Sequence, residues 1–273
     1  MLDALERLLA AGLGWRGPLE PTLLLHALML ARLVTAITLS PFLGGQSVPG
    51  RARLGLALLI SILLAPSAAL PDSALPPVLF VALLAKEVAI GASIGLFSQF
   101  VFYAVQMAGA LIDTQRGMNQ INVNTPQLPG PMSIVGMLQF QAALALFLTF
   151  DGHLYFIRAL ADSFAAIPPA AMPRLAGGGL AVADLVIRVS GSLFSVALRL
   201  SAPVLLALFA IDVIFGIFNR VVSQIQINSE NQTVKGLFSL WILVLIAPLL
   251  AAQLRDYPLT MFRHIAEFIA AFR

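Results

Sequence analysis

Residues 78–112 read VLFVALLAKEVAIGASIGLFSQFVFYAVQMAGALI. Leu, Ala and other good helix formers dominate, no proline interrupts, and no two-residue alternation offers a strand. As one helix at about 1.5 Å per residue the run would extend about 50 Å, against a hydrocarbon core of about 30 Å. It must tilt strongly, break, or leave the bilayer. Lys86 and Glu87 sharpen the point, because a charge at the centre of a lipid-facing helix costs about 2.5–3.5 kcal/mol. Burial against other protein accounts for a helix that is both too long and too charged for lipid alone.

The rest of the chain repeats this pattern. Six apolar stretches stand out, at roughly 22–43, 54–70, 78–112, 132–150, 180–217 and 237–254, divided by clusters of Pro, Gly, Asn and charge. The predicted class is all-α, a hydrophobic membrane-associated helical protein of about six apolar segments forming one domain over 1–273. Beyond about residue 255 the apolar positions Phe262, Ile265, Ile269 and Phe272 predict a short amphipathic helix lying on a surface. Asp184, Arg188, Arg199 and Asp212 punctuate the 180–217 stretch, and Asp184 and Arg188 have the i,i+4 spacing of a helical ion pair. Partner subunits are therefore expected on physical grounds alone.

Composition agrees. Of 273 residues, 59% are hydrophobic and 11% charged, against about 25% charged in an ordinary soluble domain. Mean hydropathy is +0.93. The 16 basic and 13 acidic residues are scattered, so no basic patch favours nucleic acid. Cysteine is absent, which excludes disulfides and thiolate metal sites. Asp3 and Glu6 replace the basic start of a secretory signal, and the first apolar segment is expected to be kept. Arg51 and Arg53 favour a cytoplasmic first loop, but Arg116, Arg158, Arg174 and Arg220 do not alternate cleanly and no orientation follows.

Several enzyme patterns arise by chance. Gly12, Gly14 and Gly17 spell GxGxxG without a preceding strand. Gly91, Ser93 and Gly95 spell GxSxG, with Asp113 and His153 following in a permissible order, but the motif lies inside an apolar run, where small residues serve close helix packing. His26, His153 and His264 are isolated from paired carboxylates, and no phosphate-binding glycine loop is present. No catalytic residue, metal site or cofactor is expected.

The informative loop follows the over-long segment: GALIDTQRGMNQINVNTP, residues 109–126. It is polar but sparsely charged. Asp113 and Arg116 can pair at i,i+3, Gly117 offers a hinge, and Met118 and Ile121 supply flexible apolar bulk. Composition leaves it open between an exposed connector and a gate, and the same holds for Asn219 to Lys235.

At this point the sequence resembles a known family, the FliR/SctT (SpaR/YscT-like) export-apparatus subunit of flagellar and virulence type III secretion systems. The resemblance runs through nearly the whole chain: Ala31-Arg32, Pro41-Phe42, Val48-Pro49 with Arg51 and Arg53, and Pro66; Lys86-Glu87 with Gly91 and Gly95; Gly109 to Gly117; Asp151-Gly152-His153, Ser163-Phe164 and Pro168; then Pro203, Asp212, Gly216, Asn219-Arg220, Gln224 and Val234-Lys235. No one motif is specific, but their order is. Ile112-Asp113-Thr114-Gln115-Arg116-Gly117 is more similar to the virulence branch than to the flagellar one. Asn228 to Gln232 departs from the family by replacing a more apolar segment.

The resemblance implies long helices arranged as hairpins in a hetero-oligomeric pore at the bacterial inner membrane. SctR/FliP-like and SctS/FliQ-like subunits, and an SctU/FlhB-like switch protein, would be the partners, and unfolded secreted proteins the cargo. The loop near 113–126 would form a pore plug built on Asp113, Thr114, Gln115, Arg116, Gly117, Met118, Asn119, Gln120 and Ile121. Lys86, Glu87, Gly91, Gly95, Asp212, Gly216, Asn219, Arg220 and Lys235 would serve packing and subunit contacts. A rival from another class is a self-contained secondary transporter using Asp212 or Glu87 as an ion site, although no inverted repeat is evident. An intramembrane hydrolase using Ser93 is a third reading.

Overall fold

The computed structural model describes residues 19–45, 48–65, 76–117, 133–172, 178–221 and 228–270. Among them are eight helices and no strand: α1 (Leu19–Leu39), α2 (Gly50–Leu64), α3 (Pro77–Gln115), α4 (Ile134–Thr149), α5 (Gly152–Ala166), α6 (Gly178–Val221), α7 (Asn228–Arg255) and α8 (Tyr257–Ala270). Met118 to Ile121 of the expected plug, Gln224 and Phe272 lie outside the described residues. The stretches of α1, α3 and α6 from Glu20 to Leu39, Pro77 to Gln115 and Asp184 to Val221 are long and apolar enough to cross a membrane. The α4–α5 pair adds a fourth, broken candidate.

Local sequence sets the boundaries. Proline follows Ser40 and ends α1, and Pro49 precedes the first turn of α2. The connector is tied down by Arg53, whose guanidinium donates to Val48 O at 3.1 Å and Gly45 O at 2.9 Å, and α1 packs against α2. Ser133 caps α4 by accepting from Gly136 N–H at 2.8 Å. α4 ends where Asp151 takes φ +57°, a left-handed conformation that residues with a Cβ rarely adopt.

Three sequence boundaries shift. The 78–112 run continues as α3 through Gln115, so the first three of the nine expected plug residues, Asp113, Thr114 and Gln115, are helical. The described residues of the polar stretch from Asn219 to Lys235, 219–221 and 228–235, are helical, at the end of α6 and the start of α7. α5 was not among the six apolar stretches, because its apolar residues are spaced and not continuous: Phe156, Ala159, Leu160 and Phe164 make one buried face between polar positions.

The described chain divides into two compact units. Unit 1 contains residues 1–99, 153–185 and 261–273; unit 2 contains 100–152 and 186–260. The core of unit 1 joins Leu28, Leu33 and Ile37 of α1 to Leu83 and Ile94 of α3 and to Phe156 and Leu160 of α5, all fully buried. α8 closes it. Its apolar face is buried at Met261, Ile265 and Phe268, with the Phe268 ring 5.4 Å from that of Phe97. The expected surface-lying tail thus has protein under its apolar face.

The α1–α3 approach in unit 1 depends on glycine. A Cβ at Gly91 would stand 2.3 Å from Arg32 O, and one at Gly95 would stand 2.6 Å from Leu39 Cβ. Unit 2 uses the same device where Gly109 of α3 meets Gly136 of α4: a Cβ on Gly109 would lie 2.4 Å from the Gly136 backbone. The unit 2 core packs Ile112, Val135, Val204, Leu208 and Leu243 together.

Candidate functional site

Two buried charge clusters stand out, one in each unit. In unit 1, Arg32 is fully buried within α1, an apolar helix that offers its guanidinium no partner of its own. α3 supplies Glu87. Arg32 Nε donates to Glu87 Oε2 at 2.5 Å and Nη2 to Oε1 at 2.9 Å, a bidentate pair. Arg32 also donates to Ser163 Oγ at 3.0 Å and Ile167 O at 2.9 Å, and lies 4.3 Å from the centre of the Phe164 ring. Lys86, next to Glu87, reaches its Oε1 at 2.7 Å.

This cluster holds two cations and one carboxylate. The surplus positive charge meets the carbonyl oxygens just past the C-terminus of α5, where the helix dipole favours cations. Lys86 Nζ donates to Pro168 O at 3.1 Å, Pro169 O at 2.9 Å and Ala171 O at 2.9 Å. Prolines there withdraw no acceptor, since only their N–H is missing. Arg32 was a visible signal in the sequence, a lone charge in an apolar run, yet it stood only as a signature residue. Ser163 and the 167–171 carbonyls gave no comparable signal.

In unit 2 the second cluster surrounds the C-terminus of α3. Asp113 is 2% exposed. Its Oδ1 accepts from Arg116 Nη1 at 3.1 Å, the expected i,i+3 pair, while Oδ2 accepts from Ser133 Oγ at 2.8 Å and Val135 N–H at 2.9 Å. One carboxylate therefore completes the N-terminal cap of α4 and neutralises the arginine. Gln115 Nε2 donates to Asp212 Oδ2 of α6 at 3.1 Å. Lys235 of α7 pairs with Asp212 and donates to Gln115 O at 3.3 Å. Arg116 Nη2 reaches Gly236 O at 3.5 Å, while its Nε finds no partner among the described residues. Gly117 follows at φ +74°, where a Cβ would be strained.

The turn that opens the expected plug is thus tied to α4, α6 and α7 of unit 2. Asp113, Gln115, Arg116, Asp212 and Lys235 come together; Thr114 instead donates to Ala110 O of its own helix at 2.7 Å. Lys86, Glu87, Gly91 and Gly95 come together in unit 1. Gly216 and Arg220 stay apart on an exposed face of α6, where a Cβ at Gly216 would meet nothing within 4 Å, and Asn219 is half-buried beside them. Ser93 Oγ donates to Ala89 O at 2.9 Å, ordinary back-bonding within a helix.

Residues 23–260 match the family model described as bacterial export proteins, family 1. The chain belongs to that family. This export protein is 35% identical over 196 residues to the flagellar biosynthetic protein FliR of Pectobacterium carotovorum, covering 72% of the chain and 74% of that relative. It is 31% identical over 244 residues to FliR of Escherichia coli K12, covering 88% and 91%. To the Yop proteins translocation protein T of Yersinia pestis it is 24% identical over 230 residues, covering 83% and 87%. The leaning toward the virulence branch, drawn from Ile112 to Gly117, gains no support from these identities, since both flagellar relatives stand above the Yersinia protein. Six residues weigh little against similarity along the whole chain.

Proposed function

We propose that this export protein is a structural and gating subunit of a type III secretion pore, through which unfolded proteins cross the bacterial inner membrane. The observation that carries the reading is the bare face of α6. Ile187, Phe194, Leu198, Leu206, Phe209, Ile217 and Val221 are each more than half exposed, at helical spacings along unit 2. From the first to the last runs about 50 Å of helix, against about 30 Å of hydrocarbon core. Lipid alone leaves part of that stripe in water, whereas apolar helices of SctR/FliP-like and SctS/FliQ-like subunits would cover it. An SctU/FlhB-like protein is a further partner on the same reading.

The end of α3 and the turn after it, residues 113–117, would then act as the anchor of the plug. Residues 118–121 would project from it and seal the pore, with Gly117 as hinge and the Asp113–Arg116 pair holding the closed form. The transporter alternative fits less well. Glu87 is shared between two cations and Asp212 is paired with Lys235, so neither carboxylate is poised to bind an ion of its own.

Purification in mild detergent tests the reading. The full chain should be recovered with two other small hydrophobic membrane proteins. Recovery as a stable monomer or homo-oligomer that transports an ion after reconstitution would favour the transporter instead.

A further inference from the structure

Between α3, α4, α6 and α7 of unit 2 lies a cavity of about 130 Å³, lined by Val105, Gln139, Ala142, Leu146, Leu200, Ala247 and Ala251. All are apolar except Gln139. That residue is 6% exposed, and neither Oε1 nor Nε2 of its amide has a hydrogen-bond partner among the described residues. A buried amide left without partners is costly, and evolution rarely leaves one on a helix that could carry leucine at the same position. We propose that this cavity is a socket for one hydrogen-bonding side chain, a hydroxyl or carboxamide, presented by the apolar helix of a partner subunit.

Size and chemistry select that occupant. Cofactor and drug-sized pockets span about 300–1,000 Å³, while a cavity near 150 Å³ admits a group as large as benzene. The socket therefore suits a single side chain. A lipid tail fills it but offers the amide neither donor nor acceptor. A lone water would find only the two polar atoms of one amide, the bottom of the two to four partners that buried water takes. A hydroxyl or carboxamide both donates and accepts, so it satisfies Oε1 and Nε2 together. The terminal torsion of glutamine is broad, and a small rotation turns the amide into the cavity. Ala142 is exposed at the rim, and Leu138 and Leu198 stand 61% and 56% exposed on the same unit, leaving apolar surface on α4 and α6 for a helix to lie on. Polar side chains that bond across helices are an established glue in membranes.

The inference rests on the export reading, and Gln139→Met separates the two. Methionine keeps the length and removes the amide. The full chain alone should melt higher, by about 2–4 °C, because an unpaired buried group is gone. The complex with its hydrophobic partners should lose them about threefold faster or more in mild detergent. Ala142→Leu, which crowds the rim at an exposed position, should weaken the complex while leaving the melting of the chain alone unchanged. A wild-type complex that neither variant weakens overturns the socket and leaves the export reading standing. Lower melting of the chain alone on Gln139→Met would show the amide paired within the chain and equally overturn the socket. Failure of the wild-type chain to bring down any partner overturns both.

Discussion

The Arg32 cluster of unit 1 and the Asp113–Asp212 cluster of unit 2 use the same residue types to opposite effect. In unit 1 the three charged side chains are at most 7% exposed, and the cationic donors that Glu87 does not take end on backbone carbonyls and the Ser163 hydroxyl. In unit 2 two carboxylates face two cations, the Asp212 side chain is 30% exposed, and Arg116 keeps one donor unused. Removing a member of the first cluster strands buried charge, whereas the Asp212–Lys235 pair of the second has water at hand to take the place of a lost partner. The first is a rivet between helices. The second is a clasp at the C-terminal end of α3, in which the Asp212–Lys235 pair is open to water and the Asp113–Arg116 pair is not. The proposed gate would draw on the more exposed half, since moving elements come from the low-stability end of a structure.

The comparison breaks hardest at Glu87. Glu87→Ala leaves Arg32 and Lys86 facing each other in the core of unit 1, at a cost of about 3–5 kcal/mol. Thermal unfolding of the full chain in detergent should show it, or the folded chain should fail to accumulate. If the variant melts like wild type, the cluster is not a rivet. Next comes Gly91→Ala, whose new methyl would meet Arg32 O at 2.3 Å and force α1 from α3, at about 1–3 kcal/mol. Gly55→Ala, with nothing within 4 Å, is the matched control and should leave melting unchanged or slightly raised.

The clasp should respond more mildly. Asp212→Asn or Lys235→Met alone should cost about 1 kcal/mol or less, given the exposure of Asp212. The double variant should cost less than the two singles together, because the stranded partner is also removed. Strict additivity would mean the pair does not act as a unit. The smallest effect belongs to His264 on α8. Burial holds its pKa below the ordinary value, against the opposing pull of Glu267. Its neutral form is therefore favoured in the folded state. The stability it adds is present above about pH 6.5 and declines as the pH falls below that value, where the unfolded chain binds the proton first. His264→Gln should flatten this part of the melting profile.

Helix content was legible wherever residues were continuously apolar, because a run such as 78–112 has one plausible backbone state. It was illegible for α5, whose apolar face is spaced among Arg158, Asp162 and Ser163, and for the start of α7, where Asn228 to Gln232 read as a loop. The Asp113–Arg116 pair and the close approaches at Gly91 and Gly95 could be read from spacing. The partners of Arg32 could not. Residues 32, 87, 163 and 167 meet only through packing of three helices, and sequence separation conceals that meeting. Gln139 was silent for a related reason: a glutamine in an apolar helix signals nothing until its amide is seen without partners.

The central proposal is that residues 113–117, at the end of α3, would anchor a seal to which residues 118–121 belong. Ion conductance through the assembled complex tests it most directly, comparing wild type with a chain lacking 118–121 but retaining the Asp113–Arg116 and Asp212–Lys235 pairs. The shortened chain should assemble with its partners in normal yield and pass small ions that the wild-type complex excludes. A fully assembled complex as tight to ions as wild type would contradict the claim and make the loop a connector.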